Sequence, residues 1–99
     1  MRDSVTETSI GATWLARIHV TLKPVVLDPQ GEAVLHGLLQ LGYTDVASVR
    51  VGKYLEVTLA AANQGAAVES VRQMCDKLLA NPVIERYDFT VMEKSSASA

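Results

Sequence analysis

The side chains able to carry chemistry are few and scattered. The chain holds two histidines, His19 and His36, and one cysteine, Cys75. His19 falls on the polar side of an alternating stretch and His36 on the wet face of a helical one. Neither stands in a metal-ligand spacing, and both read as surface or interface residues. A cysteine nucleophile needs a base beside it and an electropositive setting. Cys75 falls instead on an apolar stripe with Val68, Val71 and Leu78, which reads as a buried structural thiol. The carboxylates Asp28, Glu56, Glu69, Asp76 and Glu85 belong to different elements, and no spacing pairs two of them as acid and base. Gly-rich phosphate loops are missing. The nearest feature is Arg50-Val51-Gly52-Lys53-Tyr54, two cations flanking a turn. It suits an anion or an acidic partner, although a turn glycine between solvated basic residues also accounts for it. Asp28-Pro29-Gln30-Gly31 reads as a helix start. Gln30 and Gly31 exceed what a cap requires, and a glycine in the first helical turn suggests contact with something.

The elements that would position these groups follow from periodicity. Apolar and polar residues alternate from Ala16 to Leu22, a half-buried strand that Lys23-Pro24 ends. Asp28 and Pro29 open a helix running to about Leu41, with Ala33, Val34, Leu38 and Leu41 on its apolar stripe and Gly42 as a left-handed stop. Gly37 lies near the apolar side, which close approach of a neighbouring element would explain. Strands are predicted over Val46–Val51 and Tyr54–Leu59, joined by a tight turn at Gly52-Lys53. A second helix, with Asn63 as a possible cap, runs from about Ala66 to Ala80, where Asn81-Pro82 stops it. A last strand covers Glu85–Met92. The expected fold is α+β: a two-layer β-α-β-β-α-β sandwich with a mainly antiparallel sheet and two helices on one face. The folded domain is expected over residues 14–92, between a flexible segment at 1–13 and a disordered tail at 93–99.

Length and charge exclude several classes. A chain of 99 residues makes one domain and buries only about 60–65% of its unfolded surface, so oligomer or partner contacts would supplement a thin core. A net charge of −2 gives no electrostatic reason to bind nucleic acid. One cysteine fits a reducing compartment, no apolar run approaches the length of a bilayer span, and the polar N-terminus shows no signal peptide. The expectation is a cytoplasmic protein with neither a nucleic-acid nor a membrane partner, and with no active site of its own.

Several segments taken together resemble the PurS family, small subunits of phosphoribosylformylglycinamidine (FGAM) synthase. They are Val20-Thr21-Leu22-Lys23-Pro24 followed by Leu27-Asp28-Pro29-Gln30-Gly31; Leu41-Gly42-Tyr43; Val49-Arg50-Val51-Gly52-Lys53; and Met74-Cys75-Asp76-Lys77-Leu78-Leu79-Ala80-Asn81-Pro82-Val83-Ile84-Glu85. They occur in the family's order and span residues 16–92. Val25 departs from the glycine that often follows Lys-Pro in the family. The resemblance implies a non-catalytic adaptor that bridges a glutaminase subunit (PurQ) and an ATP-using synthetase subunit (PurL) in purine biosynthesis, itself a dimer or tetramer. It implies that ATP and Mg are used by the synthetase and that this chain binds no cofactor and no metal. The candidate partner contacts are Lys23, Pro24, Asp28, Gln30 and Gly31; Arg50, Gly52, Lys53 and Tyr54; and Asn81 and Pro82. The main alternative is a ferredoxin-like regulatory domain that binds a small metabolite. An RNA-binding module of similar shape would want exposed aromatics among basic residues, and Tyr54 alone is expected to meet that description.

Overall fold

The structure, a computed structural model, describes residues 12–94. Of the ends expected to be flexible, 1–13 and 93–99, residues 1–11 and 95–99 lie outside the described residues, and Glu93 belongs to the last strand. The central strand β1 spans Ala12–Leu22, so it begins before the alternation at Ala16 that revealed it. Ala12 and Thr13, expected to belong to the flexible segment, are part of this strand. The extension is anchored from both sides: Trp14 Nε1 donates to the Ala61 carbonyl at 3.1 Å, and Lys94 N donates to Thr13 O at 2.8 Å.

β1 pairs antiparallel with both neighbours, β2 (Lys53–Ala61) and β3 (Glu85–Glu93), giving the order β2-β1-β3. Register places Leu55 and Phe89 on either side of Ile18, and Val57 and Val91 on either side of Ala16. Because side chains alternate along a strand, these residues share one face. That face is covered by α2 (Gln64–Met74), whose first turn is capped by Asn63 Oδ1 accepting from Ala66 N at 2.8 Å. Ala67, Val71 and Cys75 meet Ala16, Ile18 and Val20 there with no more than 1% exposure, and these residues form the core. Fully burying an isoleucine or valine contributes roughly 1.5–3 kcal/mol, so a core this small leaves little margin.

α2 ends in a wide π-helical turn, Cys75–Leu79. The sequence placed Leu78 on the buried stripe, but Leu78 is 81% exposed while Leu79 packs against the core. The extra residue in the wider turn shifts the phase, so the stripe becomes Ala67, Val71, Cys75, Leu79.

The first helix, α1 (Pro29–Gln40), forms where the sequence predicts. Its C-terminus closes as a Schellman motif: Tyr43 N donates to Leu38 O at 3.0 Å, Gly42 N to Leu39 O at 3.1 Å, and Gly42 adopts φ +100°. The α+β class and the antiparallel sheet agree with expectation. Two details differ. First, α1 does not lie across the sheet beside α2; Val34 and Leu41 of its apolar stripe stay 46% and 75% exposed. Second, no strand forms over 46–51, and the chain runs without regular structure from Leu41 to Gly52. Among the described residues the sheet therefore has three strands, and no hairpin turn exists at Gly52-Lys53.

The reason for the second difference is local. Val51 N donates to Asp28 Oδ2 at 2.8 Å, and Val49 O lies against the Cα of Gly31, where a Cβ would collide with it. Backbone groups that would enter a ladder are committed to the start of α1. Gly52 passes so close to β1 that a Cβ there would meet the Val20 carbonyl at 2.5 Å. Close approach, not turn geometry, selects this glycine. Gly37 has nothing within 4 Å of its missing side chain, so no neighbour among the described residues explains it.

These environments give opposite expectations for two glycines on one helix. Gly31→Ala overpacks a backbone contact and should destabilise by about 1–3 kcal/mol. Gly37→Ala adds a methyl in open space and should stabilise by about 0.4–1 kcal/mol. Urea unfolding of the two variants checks both signs.

Candidate partner-binding surface

Three segments far apart in sequence meet where β1 leaves the sheet and β2 and β3 enter it. Lys23 N donates to Ile84 O at 2.8 Å, tying the loop after β1 to the corner before β3. Arg50 Nη2 donates to the carbonyls of both Lys23 and Val26, each at 3.0 Å. Asp28 joins the same cluster: its Oδ1 accepts from Gly31 N at 2.9 Å and its Oδ2 from Val51 N. The structure thus brings the Lys23–Gly31, Arg50–Lys53 and Asn81–Pro82 candidates to one end of the molecule.

Their availability differs. Asp28 is 4% exposed and fully engaged, so it holds the surface together from beneath. The hydrogen bonds from Val51 N, and then Gly31 N, stabilise its carboxylate and lower its pKa, outweighing the opposing cost of desolvation. Gly31 and Gly52 are consumed by close contacts with the chain's own backbone. Asn81 is spent on its own corner: its N donates to Glu85 Oε1 at 2.7 Å, and its Oδ1 accepts from Val83 N at 3.0 Å. Pro24, Gln30, Lys53 and Pro82 are exposed and Lys23 half-buried. Tyr54 follows Lys53 at the start of β2 but faces away from this cluster. It stands on the open sheet face, its hydroxyl donating to Glu56 Oε2 at 2.8 Å and its ring 4.9 Å from that of His19.

Exposed apolar residues complete the surface and were not singled out from sequence as contacts. Val25 is 93% exposed, Leu27 77%, Val83 76% and Ile84 38%. Clustered apolar exposure of this kind marks interaction sites. Leucine and valine within a loop beside Lys23-Pro24 were the available signal, and periodicity searches pass over loops.

No reacting constellation assembles elsewhere among the described residues. His19 Nδ1 lies 3.6 Å from Asp88 Oδ1 on the open face, with both side chains largely in solvent. His36 is exposed on α1. Cys75 is enclosed in the core as expected, and desolvation, reinforced by the charge of Asp76, raises the pKa of its thiol and suppresses the thiolate. Among the described residues, no three His, Cys, Asp or Glu side chains are grouped to hold a metal.

The family model for PurS, phosphoribosylformylglycinamidine (FGAM) synthase, matches residues 15–93. The chain belongs to the PurS family. A Synechocystis relative, the PurS subunit of phosphoribosylformylglycinamidine synthase, is 50% identical over 91 residues, covering 92% of this chain and 91% of that protein. The Bacillus subtilis PurS structure is similar at a TM-score of 0.72 with 46% identity, covering 81% of this chain and 99% of that one. A chain in the PurLQS structure from Thermotoga maritima matches at a TM-score of 0.73 and 33% identity, over 83% of this chain and 98% of that one. The resemblance seen in Leu27–Gly31, Val49–Lys53 and Leu78–Glu85 therefore extends over residues 15–93.

Asp28 gives the surface a pH signature. Its folded pKa is depressed, so its contribution to stability is complete above the ordinary carboxylate value near 4 and is lost as pH falls through the lower folded value. Asp28→Asn should be less stable than the wild type at neutral pH, and the gap should narrow below about pH 4. Urea midpoints of both proteins between pH 2.5 and 7 test this; parallel curves would exclude it.

Proposed function

We infer that this chain is the small subunit of FGAM synthase in purine biosynthesis, and that it holds a PurQ-type glutaminase and a PurL-type synthetase in one assembly. Family membership across residues 15–93 carries the reading. The match to a chain of the Thermotoga maritima PurLQS structure supports the adaptor role. The residues fit it: engaged groups such as Asp28 and Asn81 shape one end of the sheet, while Pro24, Val25, Leu27, Lys53 and Val83 are presented outward.

The physical benefit of such a subunit is effective concentration. The glutaminase releases ammonia, and the synthetase uses it with ATP to convert formylglycinamide ribonucleotide into FGAM. Two active sites held together deliver ammonia before it escapes or is protonated, with no added catalytic group. In this reading ATP and Mg are used by the synthetase, this chain binds neither, and the compartment is the cytoplasm. No helix among the described residues is long and apolar enough to cross a membrane. No observation favours the metabolite-binding alternative.

Self-association belongs to the same reading. The exposed apolar side of α1, at Val34, Leu39 and Leu41, and the open outer edges of β2 and β3 support pairing with further copies. Val34→Glu changes an exposed helical position, so the chain should stay folded while its solution mass shifts toward the 10.7 kDa monomer in light scattering. An unchanged oligomer would remove α1 from the self-contact.

The adaptor role is tested by mixing purified synthetase and glutaminase with and without this chain. Glutamine-dependent turnover should fall at least tenfold without it, while turnover on supplied ammonia should change far less. Equal glutamine-dependent rates in both mixtures would sink the assignment.

A further inference from the structure

The adaptor reading raises the question of what chemistry the larger subunits present to this end of the molecule. A groove of about 320 Å³ opens there, lined by Thr21, Leu22, Pro24, Arg50 and Arg86. Two guanidinium side chains line it and no carboxylate does. Arg50 is oriented by its two bonds from Nη2 to the Lys23 and Val26 carbonyls, so its Nε and Nη1 donors are left over in a fixed plane. Arg86 lies opposite Thr21 in the β1–β3 register and makes no side-chain hydrogen bond or ion pair among the described residues. Of the acids near it on β3, Glu85 accepts from Asn81 N through Oε1 and Asp88 faces His19.

Arg50 feels the charge of nearby Asp28, whose two oxygens are taken by backbone N–H groups, while Arg86 has no ion pair among the described residues; an anion placed between the two guanidinium groups relieves their mutual repulsion. A guanidinium already held in place loses less freedom on binding a carboxylate than a free one. The potential is local, since the whole chain carries a net charge of −2. What flanks the groove selects the kind of anion. Pro24 lines it, and Val25 and Leu27 stand exposed on the same loop. At the loop's start Lys23 N is bonded to Ile84 O, Val26 N is bonded to Lys23 O, and Pro24 has no N–H. A free phosphate would leave the apolar rim in water, whereas a polypeptide covers both the arginines and the rim.

We propose that the Arg50–Arg86 groove receives an aspartate or glutamate side chain, carried on an apolar-flanked segment of one of the larger subunits. The proposal rests on the adaptor reading and names the partner chemistry at its surface. Arg86 is the clean probe, because Arg50 also fixes the loop. Binding of wild type, Arg86→Ala and Arg86→Glu to the mixed large subunits is measured by calorimetry at low and high salt. Charge reversal should weaken binding at least tenfold and alanine about threefold to tenfold, both with a shallower salt dependence than wild type and unchanged urea midpoints. Wild-type affinity in Arg86→Glu overturns the groove while leaving the adaptor reading intact. Failure of the wild-type chain to assemble at all removes that reading, and the proposal with it. Inorganic phosphate titrated into the isolated chain and followed by NMR should give no saturable shift at the groove below about 10 mM; saturation there would assign the site to a small anion and overturn the proposal.

Discussion

One buried carboxylate organises this molecule. Asp28 joins the first turn of α1 to Val51 through opposite oxygens of the same group, across 23 positions of sequence. Backbone N–H groups at a helix start have no helical partner, and one at the end of a strandless segment has no ladder, so the carboxylate satisfies donors that burial would leave orphaned. Everything at this end follows from that junction. Gly31 must lack a side chain because Val49 is drawn in against it, and Arg50 is thereby brought within reach of the Lys23 and Val26 carbonyls. The loop carrying Val25 and Leu27 is held open to solvent by bonds made behind it.

Much of this was legible from residue order, and what was not has identifiable causes. The Asp28 and Asn63 caps and the Gly42 stop are local, decided by neighbours three or four residues away, and sequence showed each of them. Leu78 and Leu79 were exchanged because a wide turn changes helical phase with no residue that announces it. The stretch Val46–Val51 has the composition of a strand and forms none, because its backbone partners are Asp28 and Gly31 from a distant element. The excess glycine at position 31 was correctly noticed as a sign of contact, but the contact is with the chain's own backbone. Arg50 and Lys53 suggested an anion site; the cation that shares the groove with Arg50 is instead Arg86, which only the strand register places there.

The division between occupied and unoccupied groups carries the functional argument. Asp28, Gly31, Gly52 and Asn81 have their chemistry consumed within the fold, and the PurS motifs that contain them are in that sense structural. Those motifs set the path of the chain, and the residues left exposed lie within them, at Pro24, Leu27, Lys53 and Val83, and beside them, at Val25 and Arg86.

Stability and assembly are linked by the same economy of scale. With α2 covering one sheet face and α1 lying off it, the chain leaves Val34, Leu39 and Leu41 unburied. A domain of this size normally needs most of its apolar surface buried to offset the entropy of ordering its backbone. Surface left open on α1 and on the Val25–Leu27 loop is thus free energy still available on association, and it lies on two separate parts of the molecule. An adaptor needs that separation: one surface can be closed by further copies of the chain while the other, with Arg50 and Arg86 in one groove, stays open to a partner of opposite charge.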